Sequence, residues 1–406
     1  EEEPVFVLDH ESTIVRLRER IAAESAAAIK EYTDALEAIG HRRDETVARA
    51  DQDLARVLER EWSTLEDTTA QLSRRWREGF EQAYAELGAI QSVAAQGSPS
   101  WEHLARDPFS PAVSVPGLVS IGSLRVDLSS LPGGFPDDPR FPVIRPTSFE
   151  VPAPLDLRER GSVLLQTGSD SRHAGLAALR AIMLRLLTSL PPAKTRFTIL
   201  DPVGLGESFA GFMHLADHDP RIVGERIWTE SRHIEQRLAD LTEHMETVIQ
   251  KYLRNEFATI QDYNEQAGEI AEPFRFLVIA DFPAGFSEAA AKRLASIVAA
   301  GPRCGVFTLI AMDTRQRPPA WLPLADIERG SATFVFKGGI PSWREDPFSR
   351  WPLTLDGAPS DVVFNRLIHE VGRHAKDSGR VQVPFDTIAP RAGSASITRN
   401  CTGSRS

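Results

Sequence analysis

The sequence has few cysteines, because Cys304 and Cys401 are the only two in 406 residues. Two cysteines cannot build a disulfide framework, so we expect a reducing, cytoplasmic compartment. Basic residues are also in the minority, and the net charge of −11 argues against a broad basic face for nucleic acid. No run reaches the roughly 18 apolar residues of a membrane span, and EEEPVFVLD lacks the features of a signal peptide. An initiator methionine is missing too, so we expect a piece of a longer chain.

The rest of the composition is that of a soluble globular protein, with 42% hydrophobic and 25% charged residues. The length allows two or three domains with substantial cores. Composition and apolar spacing change along the chain, and the changes divide it into five parts. In chain order we expect helical coiled-coil arms at 1–96, a β-rich lead-in at 97–160, an α/β domain at 161–340, an extension or linker to a next domain at 341–390, and a disordered tail at 391–406.

Residues 10–94 have the pattern of long helices. They are rich in Ala, Glu and Arg, and their apolar residues recur at steps of three and four. Such a narrow stripe is typical of coiled coils, and we expect two arms broken near Gly40-His41. The arms either fold back as an antiparallel hairpin or extend to a protein partner, and a spacer or oligomerisation role is the simplest. The stripe comprises Ile14, Leu17, Ile21, Ala28, Tyr32, Leu36, Ile39, Val47, Leu54, Leu58, Trp62, Leu65, Leu72, Trp76, Phe80, Leu87 and Ile90.

From residue 97 onwards, short β-type runs alternate first with turns and then with helical patterns. The alternation predicts an α/β fold with a mostly parallel sheet flanked by helices, and a site in the loops at 167–173, 201–206, 281–285 and 312–318. The lead-in strands are expected at Val113–Val115, Leu118–Ile121, Leu124–Leu128 and Phe149–Val151. The later strands are expected at Ser162–Gln166, Thr195–Leu200, Arg275–Ala280, Val306–Ala311, Ala332–Phe336 and RVQVPF. The helices are expected at 174–189, 230–253, 259–267, 286–299 and 361–376.

The segment 162–190 carries the most informative pattern. An apolar run of strand length leads into a small polar loop and then into helical spacing, which is the frame of a phosphate-binding loop. Aligned with G-x-x-x-x-G-K-[ST], the loop reads Gly168, Ser169, Asp170, Ser171, Arg172, His173, Ala174 and Gly175. His173 then stands at the second glycine, Ala174 at the lysine and Gly175 at the Mg²⁺-binding hydroxyl. The frame is present, but the groups that hold a nucleotide are missing.

Five segments, taken in order, resemble the RecA-like motor domain of the FtsK/SpoIIIE family of DNA-translocating ATPases over residues 113–390. They are LLQTGSDSRHAG at the P-loop, TILDPVGLGESF at the second strand, RLADLTEHMETVIQKYL with IQDYNEQAG in the helical region, FLVIADFP at the Walker B strand and CGVFTLIAMDTRQ at the sensor strand. The run VPFDTIAP resembles the linker that leads into another motor domain in multi-domain members of the family. The N-terminal arms are not covered by the resemblance.

The resemblance implies a RecA-like fold and ATP hydrolysis with Mg²⁺, but the site departs from the family pattern. In the family a lysine neutralises phosphate charge, a hydroxyl and an aspartate hold Mg²⁺, and a glutamate positions water. Here Ala280 takes the aspartate position, Asp281 the glutamate position, and Asp313 stands where a glutamine is common. Without the lysine and the metal ligand, Asp281 and Asp313 would repel a triphosphate. We therefore expect a degenerate site with no catalytic residue and no cofactor, and ATP with Mg²⁺ as the alternative.

Other residues are weaker candidates for binding. Arg315 and Arg317 follow the sensor strand and are candidates for contact with DNA or with a neighbour's site, although solvated loop cations are the simpler interpretation. Arg172 or His173 would be a substitute cation, aimed elsewhere than the family lysine. For the remaining candidates a structural role is the simpler interpretation. We expect Asp201 to cap a turn and Cys304 to be a core thiol. His233 and His244 are expected on one helix, where no third metal ligand accompanies them.

Three functional classes follow. The first is a degenerate motor module for assembly or regulation, joined to other copies or to an active motor domain of a DNA-translocating assembly, with duplex DNA as a further partner. The second is a DNA-translocating ATPase with an unusual site. The third is an interaction protein that binds a partner through its coiled-coil arms, or a subunit of a secretion-type motor. The departures at 173–175 and 280 favour the first class over the second.

Overall fold

The computed structural model describes residues 4–378 except 144, 159, 316 and 317, and it leaves the side chains of 4–9 and 269 undescribed. These residues form two compact units: a helical unit of 4–81 with 136–142, and an α/β unit of 82–135 with 143–378. The predicted strand RVQVPF, the predicted linker beyond 378 and the predicted tail at 391–406 lie outside the described residues. Within the described part of the chain, no helix combines the length and the apolar character needed to cross a membrane.

The N-terminal arms are helical, as predicted, but the break near Gly40-His41 is wrong. A single helix α1 (Pro4–Gly97) of 94 residues runs through that point. One glycine inside a helix is unfavourable by only about 1 kcal/mol relative to alanine, and no proline follows α1's first residue to remove a backbone donor. A Cβ added at Gly40 would have no atom within 4 Å, so no close contact requires the glycine.

Within the helical unit, the segment 136–142 covers part of the apolar stripe of α1. Ser73 Oγ donates a hydrogen bond to the Arg140 carbonyl (2.6 Å), and Trp76 Nε1 donates one to the Pro142 carbonyl (3.1 Å). The Trp76 ring also meets Phe141 edge to face, with 6.0 Å between ring centroids. The stripe is therefore locally occupied by the same chain at this level of the helix.

The β-rich lead-in is confirmed as a small antiparallel sheet of order β2–β1–β9. Two predicted runs merge into β1 (Leu118–Asp127), and a third lies in β2 (Ser148–Asp156). The strand predicted at Val113–Val115 is wrong, because Val113 is 99% exposed and the run pairs with no described strand. The third strand, β9 (Leu353–Leu355), comes from far along the chain and pairs with β1. Gly122 permits this pairing, since a Cβ there would lie 2.2 Å from the Thr354 carbonyl oxygen.

The α/β unit is built on a six-stranded sheet of order β4–β5–β6–β3–β7–β8. Neighbouring strands from β4 to β7 are parallel, which confirms the mostly parallel sheet, whereas β8 pairs antiparallel with β7. The sequence pattern did not predict β8. The strands are β3 (Val163–Thr167), β4 (Thr195–Leu200), β5 (Phe274–Phe282), β6 (Val306–Asp313), β7 (Ala332–Lys337) and β8 (Ile340–Trp343).

Helices flank this sheet, as predicted. They are α2 (Trp101–Arg106), α3 (Arg172–Ser189), α4 (Ser231–Thr247, continued by a π-helical segment, Val248–Leu253), α5 (Ile260–Ala267), α6 (Glu288–Ala300), α7 (Leu324–Arg329) and α8 (Asp361–Ser378). Helix α3 contacts α8 and β1, whereas α6 contacts α4 and α7, so two separate groups of helices cover the sheet. Strands β5 and β6 are buried almost throughout, which explains why their sequences are continuous apolar runs.

His244 lies on α4 with its side chain 14% exposed. Its Nε2 has no hydrogen-bond partner among the described residues, and the Glu272 carboxylate, at 4.0 Å, is too far away to accept one. Burial, helped by the positive charges of Arg275 and Arg196, lowers the pKa of His244 to about 4. The imidazole is therefore neutral in the folded chain at neutral pH.

We predict that His244 makes the fold less stable as the pH falls from 6.5 towards 4. In this window the unfolded chain protonates the imidazole, whereas the folded chain keeps it neutral, so protons favour unfolding. Allowing for solvent screening, His244→Gln should remove about 1 kcal/mol of the loss between about pH 7 and about pH 5, measured by urea unfolding. His173→Gln, at an exposed histidine, is the matched control and should keep the wild-type loss. An H244Q protein with the wild-type pH dependence would contradict the prediction.

Candidate functional site

The carboxyl ends of the parallel strands meet at one edge of the sheet, as predicted for the site. Asp281 lies near the end of β5, Asp313 ends β6, and Asp201 directly follows β4. Arg172 begins α3, at the mouth of the loop that follows β3. All three carboxylates are buried, so the partner of each decides what this edge can bind.

The loop after β3 has the predicted strand–loop–helix frame and is held by its own hydrogen bonds. The Ser171 amide donates to the Gly168 carbonyl (3.2 Å), and Ser171 Oγ donates to Asp170 Oδ1 (2.7 Å). The Gly339 amide, in the β7–β8 turn, donates to Ser171 Oγ (3.3 Å). The hairpin is thus tied to this loop. Ser169, Asp170 and His173 are exposed, whereas Ser171 is fully buried.

Gly175 stands at the hydroxyl position of the P-loop pattern, and Thr167 leaves no room for a side chain there. A Cβ at Gly175 would lie 2.3 Å from Thr167 Cγ2, far inside van der Waals contact. Thr167 cannot easily turn away, because its Oγ1 donates a hydrogen bond to the Met312 carbonyl (3.1 Å) and the residue is buried. A serine or threonine at 175 would therefore collide with the last residue of β3.

Arg172 crosses from the start of α3 to the end of β5 and pairs with Asp281. Its Nε donates to Asp281 Oδ1 (2.5 Å) and its Nη2 to Oδ2 (2.7 Å), which is bidentate geometry. Asp281 is 6% exposed and adopts a φ of +52°, in the left-handed region that few non-glycine residues occupy. The hydrogen bonds to the Asp281 carboxylate raise the pKa of the Arg172 guanidinium. Arg172, the candidate substitute for the family lysine, is therefore paired within the protein.

Asp313 forms a similar ion pair, with Arg315. Arg315 Nη2 donates to Asp313 Oδ2 (2.7 Å), its Nε contacts both carboxylate oxygens, and its backbone amide donates to Oδ1 (3.0 Å). The side-chain hydrogen bond of Arg315 is the largest cause that holds the pKa of Asp313 below its usual value. The repulsion expected from Asp281 and Asp313 is therefore offset internally. Arg317, the second candidate for contact with DNA or a neighbour, lies outside the described residues.

Asp201 caps a turn, as predicted. It is fully buried, and its two carboxylate oxygens accept hydrogen bonds from the amides of Gly204 (2.8 Å) and Gly206 (3.1 Å). Ala280, at the position of the metal-holding aspartate, is fully buried in β5 and offers no ligand. The residues present at this edge do not fit a Mg²⁺–nucleotide site.

The remaining candidates are Cys304, His233 and His244. Cys304 is the predicted core thiol: it is buried, its Sγ donates to the Met245 carbonyl (3.8 Å), and burial raises its pKa to about 11. His233 and His244 both lie on α4. In the described part of the chain, no group of three or more His, Cys, Asp or Glu could hold a metal ion.

Solved structures similar to this chain are FtsK/SpoIIIE-type P-loop ATPases. EssC (ATPases 2 and 3) from Geobacillus thermodenitrificans has 14% identity and a TM-score of 0.47, covering 68% of this chain and 52% of its own. The cytoplasmic domain of the Thermomonospora curvata type VII secretion ATPase EccC has 16% identity and a TM-score of 0.44, covering 70% and 34%. The pCW3 conjugation coupling protein TcpA, in a monomer form with ATPγS, has 16% identity and a TM-score of 0.37, covering 58% and 60%.

These similarities are distant. The chain spans about half or less of the length of the two secretion ATPases. With TM-scores below 0.5, they assign neither an activity nor a partner to this protein. No protein-family profile matches the chain, and no curated protein matches it by sequence.

We predict that the contact between Gly175 and Thr167 can be measured by a double-mutant cycle. Gly175→Ala should lower the free energy of unfolding by about 1–3 kcal/mol because its Cβ meets Thr167 Cγ2. Thr167→Ser removes that methyl group and keeps the hydroxyl, so the same alanine should be at least about 1 kcal/mol less harmful in this background. Gly40→Ala, with open space around it, is the control and should be neutral or stabilising. Additive losses would show that the contact is absent.

We also predict that the ion pair between Arg172 and Asp281 stabilises the fold. Arg172→Met should lower the free energy of unfolding by about 2 kcal/mol, because it leaves a buried carboxylate without its charged partner. Adding Asp281→Asn should recover part of this loss, measured by chemical denaturation. The control is Arg329→Met, which breaks an exposed ion pair with Asp326 and should change stability by less than about 0.5 kcal/mol. Equal effects of R172M and R329M would rule out a structural role for the pair.

Proposed function

We propose that the α/β unit is a non-hydrolysing module, built on the frame of an FtsK/SpoIIIE-type motor domain and used for assembly or regulation. The observation that carries the proposal is the bidentate pair between Arg172 and Asp281. It joins the two segments, after β3 and at the end of β5, between which a motor of this type would hold its triphosphate and Mg²⁺.

Charge supports the proposal. A triphosphate would have to take Arg172 away from Asp281, and the buried carboxylate would then face the phosphate without its cation. Arg315 could help only by releasing Asp313 in the same way. With alanine at 174, no lysine offsets this exchange, so phosphate binding would create as much repulsion as it relieves.

Steric exclusion supports it independently. The hydroxyl that would hold Mg²⁺ belongs at position 175, where Thr167 leaves no room for a Cβ. The metal-holding carboxylate belongs at 280, where an alanine is packed into the core. Both metal-binding positions are thus built as packing positions.

A module of this kind would act by contact with motor domains that hydrolyse ATP, either in further copies or linked to it in a longer chain. We place protein partners before duplex DNA. Arg315, the described candidate for a DNA contact, is paired with Asp313, and the chain carries a net charge of −11.

The proposal predicts that the chain neither binds Mg-ATP nor hydrolyses it. Isothermal titration with Mg-ATP should show no binding at millimolar nucleotide, and phosphate release should equal the background. Ala174→Lys alone should stay inactive. Position 175 would still have no room for a hydroxyl-bearing side chain, and position 280 would still be a buried alanine. Turnover above background that Asp281→Asn abolishes, in a variant with wild-type circular dichroism, would overturn the proposal in favour of an ATPase with an unusual site.

A further inference from the structure

The apolar stripe of α1 is exposed along most of the helical unit. Its large side chains between 14 and 65 are about half exposed or more, from 48% for Ile14 to 67% for Tyr32, and Trp62 is 63% exposed. At 1.5 Å per residue these positions span about 75 Å along the helix. A soluble monomer usually leaves apolar patches of only roughly a few hundred Å² open to water, and such patches are much shorter than this stripe. The exposed members are Ile14, Leu17, Ile21, Tyr32, Leu36, Ile39, Val47, Leu54, Leu58, Trp62 and Leu65.

The spacing of the stripe fits a long, nearly straight helical pairing. Starting at Ile14, steps of three, four and four residues lead to Leu17, Ile21 and Ser25, and the same eleven-residue cycle continues through Leu36 and beyond. Eleven residues in three turns is 3.67 per turn, slightly above the 3.6 of an α-helix, so the stripe drifts around the helix by about 20° every eleven residues, more slowly than a heptad repeat and in the opposite sense. The stripe therefore winds slowly around α1, and a paired helix would follow it in a shallow right-handed supercoil.

The same helix shows what a cover of the stripe looks like. At Ser73 and Trp76 the segment 136–142 contacts it through two hydrogen bonds and a ring contact. Between 14 and 65, the side chains of the stripe stay exposed to solvent within the part of the chain that the structure describes. Along this length the stripe is an open apolar surface, which a second helix with the same apolar spacing would fit.

The charges along α1 favour a second α1 helix as the partner of the stripe, in the antiparallel direction. The segment 51–67 has six carboxylates and two arginines, a net charge of −4, whereas 10–22 has three arginines and two glutamates, a net charge of +1. A parallel second copy would place the acidic segments side by side, and would place Arg43, at a stripe position, against its own equivalent. An antiparallel copy places the acidic segment against the basic one, which is complementary.

We propose that a second copy of this chain covers the stripe, with the two α1 helices antiparallel and a twofold axis between residues 37 and 38. This register places Leu17 opposite Leu58, and Ile21 opposite Leu54. It also moves Arg43 opposite Tyr32, where the guanidinium can stack on the ring. The interface uses only residues of the helical unit.

The mass of the whole chain in solution tests the second copy. Light scattering after size exclusion should give twice 44.8 kDa at micromolar concentration. Leu58→Glu should raise the dimer dissociation constant at least about 100-fold, because it removes two buried leucines from each dimer and adds two carboxylates. Gln52→Glu adds the same charge on the opposite face of α1 and is the matched control, which should remain dimeric. A monomer at all concentrations, or a dimer indifferent to L58E, would overturn the proposal.

Disulfide trapping in the intact chain tests the direction. In a Cys401→Ser background, Leu17→Cys and Leu58→Cys should each give little cross-linked dimer on oxidation, and the double variant should be trapped through a 17–58 bond identified by mass spectrometry. That bond cannot form within one helix, where the two positions lie about 60 Å apart. Cross-linking of either single variant to itself, through 17–17 or 58–58 bonds, would show parallel pairing and refute the proposed register.

Discussion

A buried carboxylate needs a partner, and the edge of the sheet where β4, β5 and β6 end carries three of them. Asp201 is matched by two backbone amides, Asp281 by Arg172 and Asp313 by Arg315. These contacts fix the conformation of the loops at this edge of the sheet. Each of the three carboxylates thus has a partner within the protein, so none of them needs a bound cation to offset its charge.

Much of the architecture could be predicted from the sequence because burial leaves a periodic signal. Strands covered on both faces, such as β5 and β6, are written as continuous apolar runs, and the helices between them have their own spacing. The elements that could not be predicted have no such signal. Strand β9 is three residues long, and the four-residue β8 contains Pro341 and has a single buried residue, Trp343. Gly338-Gly339, with positive φ at both residues, was the one available sign of a hairpin there.

The candidate site shows the same division. The frame of the loop after β3 and the turn cap at Asp201 follow from local sequence, since each depends on residues close along the chain. The pair between Arg172 and Asp281 joins positions 109 residues apart, and the contact of Gly175 with Thr167 depends on the geometry of a strand against a helix. In α1 the error was of another kind: Gly40 looked like a break, but a single glycine is too weak to end so long a helix.

The close approach of Gly175 to Thr167 also constrains the order in which this site could change. A serine at 175 is disfavoured while Thr167 keeps its methyl group, whereas a smaller residue at 167 is tolerable before 175 changes. A hydroxyl-bearing side chain at 175 therefore needs an earlier substitution at 167, which brings no benefit by itself. Selection that acts on one substitution at a time would rarely take such a route, so the glycine at 175 is easier to keep than to replace.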